Sequence, residues 1–575
     1  MVTLTIDNLP VEVPEGSTIL EAARSAGIHI PSLCTLPEIH HSPGACRICV
    51  VEVERARSLV ASCVYPVANG MTVKTSSRRV REARRQVMEF LLSDHPRDCN
   101  ICQKHGNCEL QQVAELVGRR EITVPCTDFT RHNIDDSSDV LIRDMSKCIH
   151  CLRCVTVCAD VQGVSLLTPE GRGFDSRVVP AMGHSLADSA CTYCGQCAVV
   201  CPTGAIVEKD HTDRVWAALE DPSLHVVVQE APAIRAQLGE EFGMAPGNLV
   251  TGKMITALRR LGFDRVFDTN FTADLTIVEE GHELLERVKT GGILPMITSC
   301  SPGWIKFIEH FYPDLLPHLS TCKSPQQMFG ALAKTYYAQT EGIDPATVFV
   351  VSIMPCTAKK FEAGRPEMQS SGYRDVDVVL TTRELGRMLR QAGIDLAVLP
   401  EGEYDAPMGQ YSGAGTIFGA TGGVMEAALR TVYAVVTGSD LPSMDITAVR
   451  GLDGIKEAAM EIGELGEVRA AVAHGLGNAR KVLDRIAAGQ ADYHFIEIMS
   501  CPGGCVGGGG QPLPASDEKR TLRAKALYHD DSRVQAIRQS HENPAIKALY
   551  DGFLKEPLGE KSHDLLHTCY TVRGV

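Results

Sequence analysis

Cys148-x2-Cys151-x2-Cys154-x3-Cys158 recurs as Cys191-x2-Cys194-x2-Cys197-x3-Cys201-Pro202, every cysteine displaced by the same 43 residues. Thiols at such spacings are not core filler. They must converge on metal, and soft thiolate narrows the metal to zinc, copper(I) or iron–sulfur. The chain has 22 cysteines in 575 residues, most of them in tight CxxC groups. A disulfide scaffold is usually short and spreads its cysteines through loops. A long chain with clustered cysteines reads instead as a metal-binding protein.

The repeated run has the spacing of two-cluster bacterial ferredoxins, in which the fourth cysteine of each run serves the other cluster. One [4Fe–4S] cluster is therefore expected on Cys148, Cys151, Cys154 and Cys201, and another on Cys191, Cys194, Cys197 and Cys158. Two further sets come earlier. Cys34, Cys46, Cys49 and Cys63 place an isolated thiol, a CxxC pair and a distant fourth around a small-residue loop. That suits a [2Fe–2S] cluster, whereas structural zinc more often uses two CxxC knuckles. His95-x3-Cys99-x2-Cys102-x5-Cys108 offers one imidazole and three thiolates for a third [4Fe–4S] cluster, with His105 as the nearby competitor. Imidazole in place of thiolate makes such a site less negative and changes its potential. Four clusters along one chain imply electron flow, with a redox reaction at the far end.

The fold class expected is α+β and α/β, multidomain. Residues 1–77 read as a [2Fe–2S] ferredoxin-like β-grasp domain. Val2–Ile6 and Val11–Val13 form its hairpin, and Thr18 with Glu21 caps a helix that Gly27 ends. Residues 78–125 hold the His/Cys3 cluster behind an amphipathic helix, whose basic run Arg78 to Arg85 reads as a solvated face. Residues 126–215 form the 2[4Fe–4S] ferredoxin domain, with a turn at Gly204 and a strand at Ile206. From 216 to 575, apolar runs at 225–229, 293–297, 348–353, 377–380 and 493–498 alternate with helical patterns, one of them through Ile234 and Leu238. This predicts a two-lobed α/β domain with mostly parallel sheets. Cys300, Cys356 and the Cys501/Cys505 pair each fall just past such a strand, where open α/β sheets bind ligands.

Three segments resemble the [FeFe] (iron-only) hydrogenases: Thr298-Ser299-Cys300-Ser301-Pro302-Gly303-Trp304, Met354-Pro355-Cys356-Thr357-Ala358-Lys359-Lys360-Phe361-Glu362 and Glu497-Ile498-Met499-Ser500-Cys501-Pro502-Gly503-Gly504-Cys505. The resemblance covers essentially the whole chain. It implies an H-cluster, a [4Fe–4S] cluster bridged to a di-iron unit carrying CO, cyanide and azadithiolate. It makes Cys356, Cys501 and Cys505 cluster ligands, with Cys505 at the bridge. Lys359 would hydrogen-bond a cyanide, Met354 and Met499 would pack against the di-iron unit, and Pro232, Ser324 and Gln326 would line its pocket. A proton path would run Glu283, Ser320, Glu280, Cys300; the two glutamates, three apart, share a helix face. The reaction implied is 2H⁺ + 2e⁻ ⇌ H₂. One departure stands out. The family usually has two adjacent cysteines where this chain has Cys300-Ser301. In strict register Cys300 is the relay thiol and Ser301 a cluster ligand; a shift would make Cys300 the ligand.

The net charge of −15 argues against nucleic-acid partners. No Gly-rich dinucleotide fingerprint follows a strand. An electron partner is therefore expected outside the chain, either ferredoxin or a flavin-containing NAD(P)H-oxidising subunit, together with H-cluster maturation proteins. No signal peptide or membrane span is read, so a cytoplasmic, anaerobic enzyme is expected.

Overall fold

The computed structural model describes residues 1–118, 122–123 and 133–574; Cys126 and the expected boundary at 125/126 lie outside them. The chain divides into two compact units. One comprises 1–160, 165–189 and 200–207, the other 161–164, 190–199 and 208–575. The second cysteine run is thereby split: Cys191, Cys194 and Cys197 belong to the second unit and Cys201 to the first.

The first unit opens with a mixed five-stranded sheet in the order Leu9–Val13, Val2–Ile6, Thr72–Lys74, Val50–Val53, Val60–Ala61. Its hairpin turns at Asp7 and Asn8, both at positive φ, a conformation that Asn and Asp tolerate best after glycine. Helix Ile19–Ser25 has the expected capping box between Thr18 and Glu21. Helix Arg78–Ser93 starts at Ser77, whose hydroxyl accepts from Val80 N. Its basic run is not wholly solvated, as the sequence suggested. Arg84 shares the i, i+4 stripe of Val80 and Met88, is buried with them, and donates to Val50 O at 2.9 Å.

The second unit has two four-stranded sheets. In the first, Arg265–Asp268, His225–Glu230, Val348–Met354 and Val378–Thr381 are all parallel. In the second, Met296–Ile297, Phe495–Met499 and Glu467–His474 are parallel and Ile455–Glu461 closes the edge antiparallel. Central strands such as Phe495–Met499 are buried throughout, as sheets covered on both faces require. The run at 293–297 forms a strand only from Met296; Pro295 before it has no N–H to donate. The helix expected through Ile234 and Leu238 is two 3-10 turns, Ile234–Ala236 and Leu238–Phe242. There the fully buried Arg235 pairs with Glu230 at 2.5 Å and Asp268 at 2.7 Å, and the chain follows these contacts rather than a helical register.

Helix Thr269–Thr290 joins the two sheets' cores. Phe271, Leu275 and Val278 pack into one, and Ala273, Ile277, Leu284 and Leu285 into the other. Asp268 caps it by accepting from Asn270 N, and Gly291 in the left-handed region ends it.

Candidate active site

In the first unit the thiols within each of three cysteine groups lie close together. Cys34, Cys46, Cys49 and Cys63 are buried and compete for protons at interaction range: Cys34 and Cys49 are pulled down, Cys46 and Cys63 pushed up. Ser62 Oγ donates to Cys49 O and Ser42 Oγ to Cys63 O, both at 2.8 Å, holding the loop ends. Next, His95, Cys99, Cys102 and Cys108 line one cavity of about 260 Å³. His95 Nδ1 is buried without a hydrogen-bond partner. Burial, then Lys147, lowers its pKa to about 4, leaving the neutral ring that metals bind. His105 also lines the cavity but is exposed. A Cβ on Gly204 would come 2.7 Å from Cys102 Sγ, so only glycine leaves that thiol its room. Third, Cys148, Cys151 and Cys201 all press on Cys154 and, after burial, push its thiol pKa well up. Cys158 stands apart from them, facing the backbone N–H groups of Leu166, Leu167 and Ser165.

Arg153 sits at the junction of these loops. It pairs with Glu109, next to Cys108, at 2.7 Å, and donates to Thr35 O, next to Cys34, at 3.2 Å.

In the second unit the segment 190–199 lies against the hydrogenase-like motifs. Thr357 Oγ1 donates to Tyr193 O at 2.7 Å, Gln196 Nε2 to Gly507 O at 3.0 Å, and Lys306 Nζ to Cys191 O at 2.6 Å. Cys501 Sγ is 4.0 Å from Cys194 O. Burial pushes Cys501 up first, and Cys356, Cys194 and Cys505 add to it. Three cysteines from two different strand tips therefore meet at one place.

Cys300, Ser301, Cys356 and Cys505 also line a single cavity. Its walls are Pro232, Met354, Met499 and Phe418, with Lys359 and Gln326 contributing polar atoms. Gln326 Oε1 is buried and unpartnered. Lys359 Nζ donates to Glu362 Oε2 at 2.8 Å and Cys300 O at 3.1 Å. Glu362 also accepts from Ser324 Oγ at 2.9 Å and Gln326 Nε2 at 3.1 Å, so Ser324 reaches the cavity only through it. Ser301 Oγ shares a hydrogen bond with Ser500 Oγ at 2.9 Å and accepts from Ser500 N at 3.2 Å. Half-buried thiols, one cation and an orphan amide oxygen around a mostly apolar cavity fit an anionic iron–sulfur centre with polar ligands. Glu362, Thr357 and Lys306 carry site geometry that the sequence reading did not single out. Thr357 and Glu362 stand within the second of the hydrogenase-like segments, and Glu362 lies i, i+3 from Lys359; no such signal marked Lys306.

From Cys300 a line of titratable groups leads away. Glu280 is buried and neither carboxyl oxygen has a hydrogen-bond partner. Burial, then Glu283, raises its pKa to about 8. Ser320 lies beside it but donates to Glu283 Oε2 at 2.8 Å, and Arg287 donates to Glu283 Oε1 at 2.7 Å. Burial and then Glu280 push the Cys300 thiol well up, so it holds its proton at neutral pH.

Clustered thiols in one unit and a thiol-lined cavity at parallel strand tips in the other define an iron–sulfur redox enzyme, and the chain belongs to the iron-only hydrogenase family. The family "iron only hydrogenase large subunit, C-terminal domain" matches residues 224–509, and "iron hydrogenase small subunit" matches 517–573. A 2Fe-2S binding domain matches 1–78, the iron–sulfur binding region of NADH-ubiquinone oxidoreductase G matches 84–123, and a 4Fe-4S dicluster domain matches 147–205. The chain is 53% identical over 584 residues to the NADP-reducing hydrogenase subunit HndD of Solidesulfovibrio fructosivorans, covering 100% of this chain and 99% of that one. It is 43% identical over 580 residues to iron hydrogenase 1 of Clostridium pasteurianum, covering 99% and 100%. A solved [FeFe]-hydrogenase of Chlamydomonas reinhardtii matches with a TM-score of 0.57 and 47% identity, over 64% of this chain and 100% of that one. The protein is thus a hydrogenase, an oxidoreductase whose N-terminal iron–sulfur domains relay electrons. Among the described residues no helix is long and apolar enough to cross a membrane.

Proposed function

We propose that this chain interconverts protons and H₂ at a cluster held by Cys356, Cys501 and Cys505, beside the cavity bounded by Pro232, Gln326, Met354, Lys359 and Met499. The meeting of thiols from separate strand tips beside Cys300 and the Glu280 line carries this reading. When bound, the H-cluster supplies the iron chemistry that makes and breaks H₂. The protein's residues do the rest. Lys359, oriented by Glu362, provides the charge that anchors a cyanide. The methionines and Pro232 keep water out and the site dry. Cys300 gives and takes the proton at its Sγ, Glu280 passes it on at its carboxyl, and Ser320 hands it to Glu283. In strict register Ser301 stands at the fourth cluster position, with its Oγ hydrogen-bonded to Ser500; a shift would give that position to Cys300.

Electrons travel through one [2Fe–2S] cluster on Cys34, Cys46, Cys49 and Cys63, a [4Fe–4S] cluster on His95, Cys99, Cys102 and Cys108, and two more on the repeated runs. The contact of Cys194 with Cys501 supports a direct last step from the 191–197 run. We divide the chain into domains at 1–77, 78–125, 126–215 and 216–575, with the C-terminal segment belonging to the last. Likeness to a subunit of an NADP-reducing hydrogenase supports a flavin- and NAD(P)-binding partner, with ferredoxin as the other carrier. We place the chain in the cytoplasm, as a long chain whose clustered thiols serve metal rather than disulfides. Infrared spectroscopy on protein matured with its assembly enzymes tests the reading: CO and cyanide bands are expected, and their absence would remove the di-iron assignment.

A further inference from the structure

Helix Glu560–Leu566 and the residues just after it bring two histidines to the outer end of the proton line. His567 is buried. Its Nδ1 shares a hydrogen bond with Thr321 Oγ1 at 2.8 Å, and its Nε2 lies 3.3 Å from Glu279 Oε2. A carboxylate oxygen of Glu283, the Cys322 sulfur and a ring nitrogen of His567 all lie within 4.8 Å of one another. Cys322 Sγ donates to Glu283 Oε2 at 3.8 Å. The ring of His563 stands 4.4 Å from that of His567, centroid to centroid, and His563 is exposed.

The alternative outlet from Glu283 is Arg287. Its guanidinium donates to Glu283 and to the carbonyls of Ile293, Pro317, His318 and Leu319. A guanidinium does not lose its proton in a protein, so it orients and neutralises but passes nothing on. An imidazole takes and gives protons close to neutral pH. The groups facing His567 are Glu279 and Glu283 from the long helix, Cys322 from its loop and His563 from its own helix; Tyr550 backs Glu279 and Arg287 backs Glu283.

We infer that protons reach and leave Glu283 through Cys322, His567 and His563. For an inbound proton, buffer protonates His563, and His563 protonates His567. The Cys322 thiol gives its proton to Glu283 as it takes one from His567. Each step breaks one N–H, S–H or O–H bond as it makes the next, so the line ends as it began, and no electrons move. Cys322 and the two histidines thereby gain roles as relay residues. This inference rests on the reading of Glu280, Ser320 and Glu283 as the inner relay.

The test uses the matured holoenzyme, with dye-coupled turnover measured in dilute buffer and infrared bands used to verify that the site is loaded. His563→Ala, on the exposed ring, should slow turnover roughly tenfold. That is less than the ~100-fold or more contributed by a positioned proton carrier, because buffer can still reach His567. Added imidazole should restore the rate of His563→Ala and leave the unsubstituted enzyme unchanged, a rescue that a merely structural histidine would not show. His567→Gln keeps hydrogen-bonding capacity toward Thr321 and Glu279 and should be slow without rescue. Turnover at the unsubstituted rate in both histidine variants, while Glu283→Gln stops, would overturn the inference and leave the inner relay standing. Unimpaired turnover in Glu283→Gln would remove the inner relay and this outlet with it.

Discussion

Replacing Glu280 with Gln should separate proton transfer from stability, in opposite directions. Glu280 is buried, its two carboxyl oxygens lack hydrogen-bond partners, and Glu283 lies close by. Burial raises its pKa to about 8 from an ordinary 4.5. A raised carboxyl favours the folded state below the unfolded pKa and loses that advantage as pH climbs to the folded one. Each pH unit well inside that window is worth about 1.4 kcal/mol, and the slope halves at the folded pKa, so the folded second unit should lose about 2 kcal/mol between roughly pH 6 and pH 8. A neutral amide of nearly the same shape removes that slope. Glu280→Gln should therefore be the more stable protein at pH 8 while its turnover falls ~100-fold or more. Both tryptophans, Trp216 and Trp304, lie in the second unit, so urea unfolding followed by their fluorescence reads that unit alone. Parallel pH slopes in the two proteins would show that Glu280 is not held protonated by its surroundings. Undiminished turnover would show that protons do not pass through it.

Three further outcomes are expected. Gly195 has a positive φ of 71°, and a Cβ there would collide with Thr357 Oγ1 and approach Gly509 Cα to 3.1 Å. Gly195→Ala, carrying about 1–2 kcal/mol of left-handed strain plus that collision, should slow reduction of the active site by external dye while the CO and cyanide bands persist. Ser301→Cys should alter turnover with cluster spectra unchanged if Cys300 is already a cluster ligand; if Ser301 is the ligand, the iron count should hold while the cluster's EPR signal and potential shift. His95→Cys should keep the iron count and lower the potential of one [4Fe–4S] cluster in an EPR-monitored titration, since thiolate adds negative charge; an unshifted potential would pass the ligand role to His105.

Legibility in the sequence followed the range of the interaction. The crossing of the ferredoxin-like runs was legible as spacing, and Cys148, Cys151 and Cys201 all act on the Cys154 thiol. Strand tips were legible where a long apolar run met a cysteine, as at Val348–Met354 and Phe495–Met499. Arg265–Asp268 was not, because four residues ending on an ion pair with Arg235 carry little hydrophobic signal. The edge strand Ile455–Glu461 is mostly solvent-facing and reads as polar. Arg84 looked solvated because charge masks a buried stripe position. Thr357, Lys306 and Glu362 act through partners such as Tyr193, Cys191 and Ser324 that only tertiary folding supplies.

The helix Thr269–Thr290 sends side chains into the cores of both sheets. Two lobes stapled by one shared rod cannot swing apart like a clamshell without tearing that rod from one of its beds. Dihydrogen then depends on the mouth of the cavity and on gaps between side chains, not on a parting of the lobes. Breathing of individual residues such as Phe418 and the methionines around the cavity, rather than any hinge, would then set how readily small gases, dioxygen included, find the metal.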